Sequence, residues 1–218
     1  MSTELQQLSR AFEALQADLL DADGPRISTT PNYRFAIVPY HPSLEFELRD
    51  AVFHTSRRLT EAGWHVHTVD LQHLFFARLE REFGEKGIER IIGKEQFHFE
   101  NGRGLSTLQE YIYPIIEGAD GLAGDVIDGI RAAAEAHPDK ASRMVVFIGR
   151  CGALYPFFRT SALLKHLDGA ASRSGTPRVP VILLYPGTRH AGNALSFMDE
   201  SAADSDYRPR IYPERLHA

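Results

Sequence analysis

Four short segments rich in β-branched and aromatic residues are spaced along this chain, and amphipathic helical patterns fill most of the intervals between them. These segments predict four strands, over residues 33–40, 64–71, 143–149 and 179–185. Because a helix between consecutive strands is typical of crossover connections, we expect the strands to be parallel. The fourth segment is apolar at nearly every position, as expected of a strand that is covered on both faces.

Helical periodicity divides the rest of the chain. A leucine seam predicts an N-terminal helix over residues 1–21, which we expect to pack on its own domain. Residues 72–137 are predicted as a helical insertion between the second and third strands, with a mobile loop at 93–104. Pro156 is expected to open a further helix, and a short edge strand is expected at 210–212. The prediction is therefore an α/β fold, a Rossmann-like central mainly parallel sheet of four to five strands flanked by helices, in one domain over residues 1–218.

Composition excludes several classes of protein. A hydrophobic fraction of 43% excludes a disordered chain. The net charge of −5 argues against direct, sequence-independent nucleic-acid binding, which needs a basic face. No apolar run approaches the length of a membrane helix, and we expect no signal peptide. Cys151 is the only cysteine, so there is no internal disulfide, and we expect a cytoplasmic protein.

The carboxyl ends of parallel strands are where ligands bind in such folds, and four kinds of chemistry compete there. The first is nucleotide hydrolysis. After the third strand the chain reads GRCGALYPFFRTS, which lacks the lysine that a phosphate-binding loop requires. After the first strand there is no glycine until Gly63. We therefore expect no ordinary ATPase activity, and we expect no cofactor.

The second is nucleophilic catalysis by Cys151. Gly149 and Cys151 begin a sequence like a nucleophile elbow, but Ala153 stands where such elbows carry glycine. A base would have to come from a distant residue such as His190. A buried structural thiol is the alternative interpretation, and we favour it.

The third is metal binding, and the fourth is anion binding. His65 and His67 share one face of a strand but make only half a zinc site, so we predict no metal. Arg150, Arg159 and Arg189 lie near strand ends and could bind phosphate or carboxylate. The alternative is that each pairs with a structural acid such as Asp168 or Asp199.

Two motifs near these strand ends carry a family resemblance. One runs from Gly149 through Leu154-Tyr155-Pro156-Phe157-Phe158-Arg159-Thr160-Ser161, and the other is Leu184-Tyr185-Pro186-Gly187. With Leu195-Ser196-Phe197, and with Tyr40-His41-Pro42 and Glu45 nearer the N-terminus, they resemble the BrxB family of bacterial BREX phage-defence systems. The resemblance covers most of the chain from residue 33 onward.

The resemblance implies a non-catalytic accessory or scaffold component of a multi-subunit defence complex. Its partners would be other BREX proteins, above all a PglZ-type subunit of the alkaline phosphatase superfamily. The family provides no catalytic residues to carry over. We expect a partner-binding surface that includes Arg150, Tyr155, Arg159, Tyr185 and Arg189, with Arg189 pointing outward.

Structural roles are expected for the small residues and prolines of the two motifs, namely Gly149, Gly152, Pro156, Pro186 and Gly187. The alternative to a scaffold is an enzyme or a sensor of an anionic ligand that uses Cys151 and the arginines at the strand ends.

Overall fold

A central sheet of six strands, flanked by helices, organises the structure, which is a computed structural model. It describes residues 3–27, 34–158, 160–171, 179–190, 194–198 and 209–213. Five strands are parallel, in the order β2, β3, β4, β1, β6, and β5 pairs antiparallel with the end of β4. Their bounds are β1 Phe35–Tyr40, β2 His65–Asp70, β3 Met144–Gly149, β4 Val181–Arg189, β5 Leu195–Phe197 and β6 Arg210–Ile211.

The strand predictions are confirmed, including the short edge strand β6. The first two strands are parallel as expected, but they are not neighbours, because β4 and β3 lie between them. Strand β4 runs four residues past its predicted end at Tyr185. It does so because β5, which was not predicted, provides backbone partners for the segment from Gly187 to Arg189.

Six α-helices accompany the strands in the described residues. They are α1 Thr3–Leu19, α2 Glu45–Glu61, α3 Leu71–Phe99, α4 Gly104–Ile116, α5 Leu122–Ala136 and α6 Thr160–Ala171. Helices α3, α4 and α5 form the predicted insertion between the second and third strands. The α/β fold with a parallel central sheet is thus confirmed.

The side chains of the strands alternate between two hydrophobic cores, one on each face of the sheet. On one face, Val38 and Phe147 pack with the leucine seam of α1 and with α2. On the other face, Ile37 and Val146 pack with α3, α4, α5 and α6. The leucines of α1 are buried, which confirms that this helix packs on its own domain.

Two local predictions were wrong. The segment 93–104 is not a loop, because α3 continues through it to Phe99 and only a short turn separates it from α4. Burial of Ile91 and Thr107 within this helix pair offsets the helix cost of Gly93, about 1 kcal/mol. Pro156 does not open a helix either. It lies in a turn in which the N–H groups of Phe157 and Phe158 both donate to Leu154 O, and α6 begins at Thr160.

A buried arginine holds the insertion together. Arg78 of α3 is 8% exposed, and its guanidinium donates to the backbone oxygens of Ile115, Asp120 and Gly121 around the turn between α4 and α5. It also lies 2.6 Å from Asp125 Oδ2, so its charge is paired. The N–H groups of Arg78 therefore replace the water molecules that burial removes from these backbone oxygens.

Candidate functional site at the carboxyl edge of the sheet

The strand order determines which strand ends are neighbours. Tyr40 at the end of β1 is in register with Pro186 of β4, and Asp70 of β2 is in register with Gly149 of β3. All four ends lie at the same edge of the sheet because these strands are parallel. We call this region the carboxyl edge.

Arg150 occupies the centre of the carboxyl edge, directly after β3. Its backbone is left-handed, with φ of 62°, a conformation that non-glycine residues adopt rarely and that clusters at functional sites. Its Nε and one terminal nitrogen donate to Gln72 Oε1 at 3.2 and 2.6 Å. The other terminal nitrogen lies 3.5 Å from Glu45 Oε1. Arg150 thus connects the ends of β2 and β3 with the first turn of α2.

A buried tyrosine fixes the carboxylate that Arg150 contacts. The hydroxyl of Tyr40 donates to Glu45 Oε2 at 2.5 Å, and Tyr40 itself is 4% exposed. Burial raises the pKa of Tyr40, and the hydrogen bond to Glu45 raises it further. The phenol therefore stays protonated and keeps donating, which leaves the second oxygen of Glu45 available to Arg150.

Cys151 lies beneath this polar cluster and is fully buried. Burial raises the pKa of its thiol, and the charge of Glu45 raises it further. A thiol in this environment is a poor nucleophile, because the reactive form is the thiolate. His190, the base considered for it, is placed with its Nε2 2.9 Å from Ser196 Oγ.

Three exposed aromatic side chains lie on the segments that carry the polar cluster. Phe46 follows Glu45 in the first turn of α2 and is 76% exposed. Phe76 is 56% exposed and lies one helical turn after Gln72, on the same face of α3. Tyr155 is 36% exposed and follows the short 3-10 helix that begins after Arg150. Exposed aromatic residues and arginine are both enriched at protein–protein interfaces.

The Tyr-Pro-Gly motif at the end of β4 is architectural. Tyr185 is 1% exposed, so the prediction that its side chain faces a partner was wrong; its ring packs edge-on against Phe197 of β5. Gly187 has φ of 157°, and a Cβ there would lie 1.9 Å from Ser196 O. Only glycine therefore lets β5 approach β4 this closely. Pro186 O accepts the N–H of Met198 at 2.9 Å, which closes the hairpin.

The other two glycines of the motifs, Gly149 and Gly152, also have structural positions. A Cβ at Gly152 would lie 3.1 Å from Met198 Sδ, so this position brings the turn after Arg150 close to the end of β5. A Cβ at Gly149 would meet Leu184 at an ordinary distance of 3.5 Å. Gly152 is therefore the more constrained of these two positions.

Arg189 has different partners from Arg150. The guanidinium of Arg189 donates to Ile211 O at 3.3 Å and to Pro213 O at 2.8 Å, so it anchors the segment that follows β6. The expectation that this side chain points outward was wrong, because the extension of β4 carries it to this segment. Arg159 lies outside the described residues, as does Asp199, and the side chain of Asp168 is likewise not described.

The two histidines of β2 lie on the edge strand of the sheet. The rings of His65 and His137 are 4.1 Å apart between centroids. Burial lowers the pKa of His65, and the neighbouring His137 lowers it further. Burial, and then His65, lower the pKa of His67. Among the residues described, no three histidine, cysteine or acidic side chains converge as metal ligands.

A cleft of about 740 Å³ opens beside the ends of β1 and β4. Its walls include Tyr40, His41 and Arg189 from the strand ends, and Leu8 and Arg10 from α1. Tyr40 thus lies between this cleft and the Arg150 cluster. The cleft lies where open parallel sheets usually bind ligands.

A family model described as "BREX protein BrxB" matches residues 67–211, which is more than half of the chain. The chain belongs to the BrxB family. It is accordingly a component of a BREX phage-defence system. No curated protein and no solved structure is significantly similar to it.

The BrxB match includes one part of the carboxyl edge and leaves out another. Gln72, Arg150 and Tyr155 lie within the matched residues, whereas Tyr40 and Glu45 precede them. Sequence reasoning singled out Arg150 and Tyr155 but missed Gln72, Phe46 and Phe76 as members of this region. The signal that could have found them is their position in the first two turns of the helices that follow β1 and β2.

No helix in the described part of this BrxB-family chain has both the length and the apolar character needed to cross a bilayer.

Proposed function

We propose that this protein is a non-catalytic docking component of its BREX complex and that it binds the PglZ-type subunit through the carboxyl edge. The docking surface comprises Phe46, Phe76, Arg150 and Tyr155. The family resemblance provides the identity of the partner, and the chemistry of the surface provides the location.

One observation carries the proposal: the segments that hold Arg150 in place also carry exposed aromatic rings, at Phe46, Phe76 and Tyr155. Aromatic and arginine side chains are enriched among the residues that dominate binding energy, and truncating one of them costs about 2 kcal/mol or more. Arg150 keeps 41% of its side chain exposed while Gln72 and Glu45 fix its direction. Such an arginine loses little conformational freedom when a carboxylate of a partner binds it.

The non-catalytic role is supported by the state of the groups that could perform chemistry. Cys151 is buried and favours the protonated thiol, and Tyr40 favours the protonated phenol. Cys151 is also closed off from a substrate by burial. The sequence also lacks the lysine that a phosphate-binding loop needs after β3.

A second function is favoured by the cleft beside β1 and β4. The cleft is large enough for a small ligand, and its walls include Arg10 and Arg189 beside the acidic residue Glu4. In this alternative, the protein senses an anionic ligand or acts on it, and the arginines at the strand ends bind the anion.

Mixing experiments with purified components separate the two functions. In one arm, the protein is titrated with the PglZ-type subunit of the same system; in the other, with ATP and with inorganic phosphate. Docking predicts binding in the first arm, with Arg150→Glu weakening it at least tenfold, and no turnover of ATP above background. ATP hydrolysis that a substitution at Arg10 or Arg150 abolishes would overturn the non-catalytic role. Absence of binding to the PglZ-type subunit would overturn the partner assignment.

A further inference from the structure

The insertion carries a helical arm that begins at a break in α3. Gly84 has non-helical angles, φ 63° and ψ 172°, which separate the first part of α3 from residues 85–99. The second part pairs with α4, and Ile91, Gly104 and Thr107 are buried along this pair. Lys94 contacts the hydroxyl of Tyr111 across the two helices. Residues 85–99 and α4 are called the arm below.

One exposed stripe runs along the arm. Lys86, Arg90, Gly93, Phe97 and Glu100 recur at spacings of four, three, four and three, so they share one face of the helix. All five are exposed, and Phe97 is 76% exposed. Two basic residues lie at one end of the stripe, and an aromatic and an acidic residue lie at the other.

Internal contacts do not explain this stripe. Among the described residues, none forms a hydrogen bond or ion pair with the side chains of Lys86, Arg90 or Glu100. The ring of Phe97 contacts its neighbour His98, at 5.0 Å between centroids. A Cβ at Gly93 would meet nothing within 4 Å, so the fold of the chain does not require glycine there. Glycine nevertheless destabilises a helix relative to alanine.

We propose that the arm pairs with the arm of a second copy of this chain, antiparallel and about a two-fold axis at Gly93. Lys86 and Glu100 lie seven residues to either side of Gly93, so each lysine would meet the glutamate of the other copy. Arg90 and Phe97 lie three and four residues to either side, which places the guanidinium over the ring of the other copy. Gly93 would let the two helix backbones approach closely at the centre.

The charge order of the stripe favours a second copy over a different protein. Read in opposite directions, the sequence base, base, glycine, aromatic, acid is complementary to itself. An isologous interface requires such self-complementarity, and a surface for a different protein does not. The stripe covers only about four helical turns, so the dimer should be weak and dependent on concentration.

Sedimentation velocity of the full chain, from about 1 to 200 µM, tests this pairing over the range expected of a small interface. We expect a monomer–dimer equilibrium. Lys86→Glu and Glu100→Lys, each alone, should weaken dimerisation at least tenfold, since each brings like charges together at both contacts. An equimolar mixture of the two variants should recover it, because every contact in the mixed dimer again joins opposite charges. Glu135→Lys, an exposed change on α5, is the matched control and should behave as wild type.

Circular dichroism establishes first that the exposed substitutions leave the fold intact. Three results would overturn the proposal: a monomer at every concentration, a dimer that neither charge reversal weakens, or a mixture that stays monomeric. Gly93→Ala provides an independent test. It should raise the melting temperature through helix propensity while weakening the dimer, whereas an unchanged dimer would contradict close approach at the centre.

Discussion

The guanidinium of Arg150 lies 3.5 Å from the carboxylate of Glu45, although β4 separates the strands from which the two residues follow. This contact reaches across the end of β4 and joins the turn after β3 to the first turn of α2. The other oxygen of Glu45 accepts the buried hydroxyl of Tyr40. Glu45 therefore has one buried partner and one partly exposed partner, and the two contacts should contribute differently to stability.

Substitutions at Glu45 should separate these two roles. Glu45→Gln keeps an acceptor for Tyr40 and loses only a partly exposed ion pair, so we expect unfolding free energy to fall by about 1 kcal/mol or less. Glu45→Leu also leaves the buried phenol without its acceptor, so the loss should rise to about 1–3 kcal/mol. Urea denaturation of the two variants measures the difference. Equal losses would show that the hydrogen bond to Tyr40 carries no separate weight.

Cys151 should be chemically inert and dispensable. We expect no modification of the native thiol by an aromatic disulfide reagent at pH 8, and full phage defence by Cys151→Ala. Because burial raises the folded pKa above the ordinary 9.0, the unfolded chain releases this proton first. The contribution of this pKa difference to the unfolding free energy is fully present below about pH 9 and declines as the pH rises above 9.

Measuring the unfolding free energy from pH 7 to 10.5 tests whether stability declines as the pH rises. Wild type should lose stability through this range more steeply than Cys151→Ala. Loss of defence by Cys151→Ala at an unchanged melting temperature would contradict a structural role and favour nucleophilic chemistry.

Gly187 should tolerate no side chain. A Cβ there meets Ser196 O at 1.9 Å, so Gly187→Ala must push β5 away from β4. We expect a loss of about 3 kcal/mol or more, or failure to fold. Gly129 of α5 is the control, because nothing lies within 4 Å of its added Cβ. Gly129→Ala should stabilise the protein by up to about 1 kcal/mol. Similar melting temperatures for the two variants would show that β5 does not pack as described.

Among polar residues, Arg78 should make the largest single contribution to the stability of the insertion. Arg78→Met leaves three backbone oxygens and part of Asp125 without a partner in a buried place, and we expect a loss of about 3–5 kcal/mol. Arg81 also contacts Asp125, but its side chain is 54% exposed. Arg81→Met should therefore cost less than about 1 kcal/mol. Equal losses in thermal denaturation would mean that burial of Arg78 is not what makes it important.

Sequence patterns predicted the sheet well because strand identity depends on local composition. The apolar runs that became β3 and β4, and the leucine seam of α1, needed no knowledge of tertiary contacts. Strand order could not be derived in this way. The contacts of Arg150 with Gln72 and Glu45 depend on strand order, so they could not be derived either. Those residues come from three elements distant in the sequence, and their contacts depend on β2 lying next to β3 and on only β4 separating β1 from β3.

The errors concern residues whose local signal fits two structures. Tyr185 follows an apolar strand and could have ended it, but pairing with β5 extends the strand and buries the ring. Proline at 156 indicates a helix start and a turn equally well, and backbone hydrogen bonds to Leu154 O decide for the turn. Arg189 resembled a surface arginine until β6 and the backbone after it supplied acceptors.

The docking claim is tested most directly by comparing two phenylalanines of the same helix. Phe46 and Phe53 of α2 are 76% and 64% exposed, but only Phe46 lies beside Glu45 at the carboxyl edge. Isothermal titration with the PglZ-type subunit should give a Kd at least about 30-fold weaker for Phe46→Ser than for wild type, the equivalent of about 2 kcal/mol. Phe53→Ser should bind within about twofold of wild type, and both variants should melt near the wild-type temperature. Wild-type affinity for Phe46→Ser, or equal weakening by Phe53→Ser, would contradict docking through the carboxyl edge.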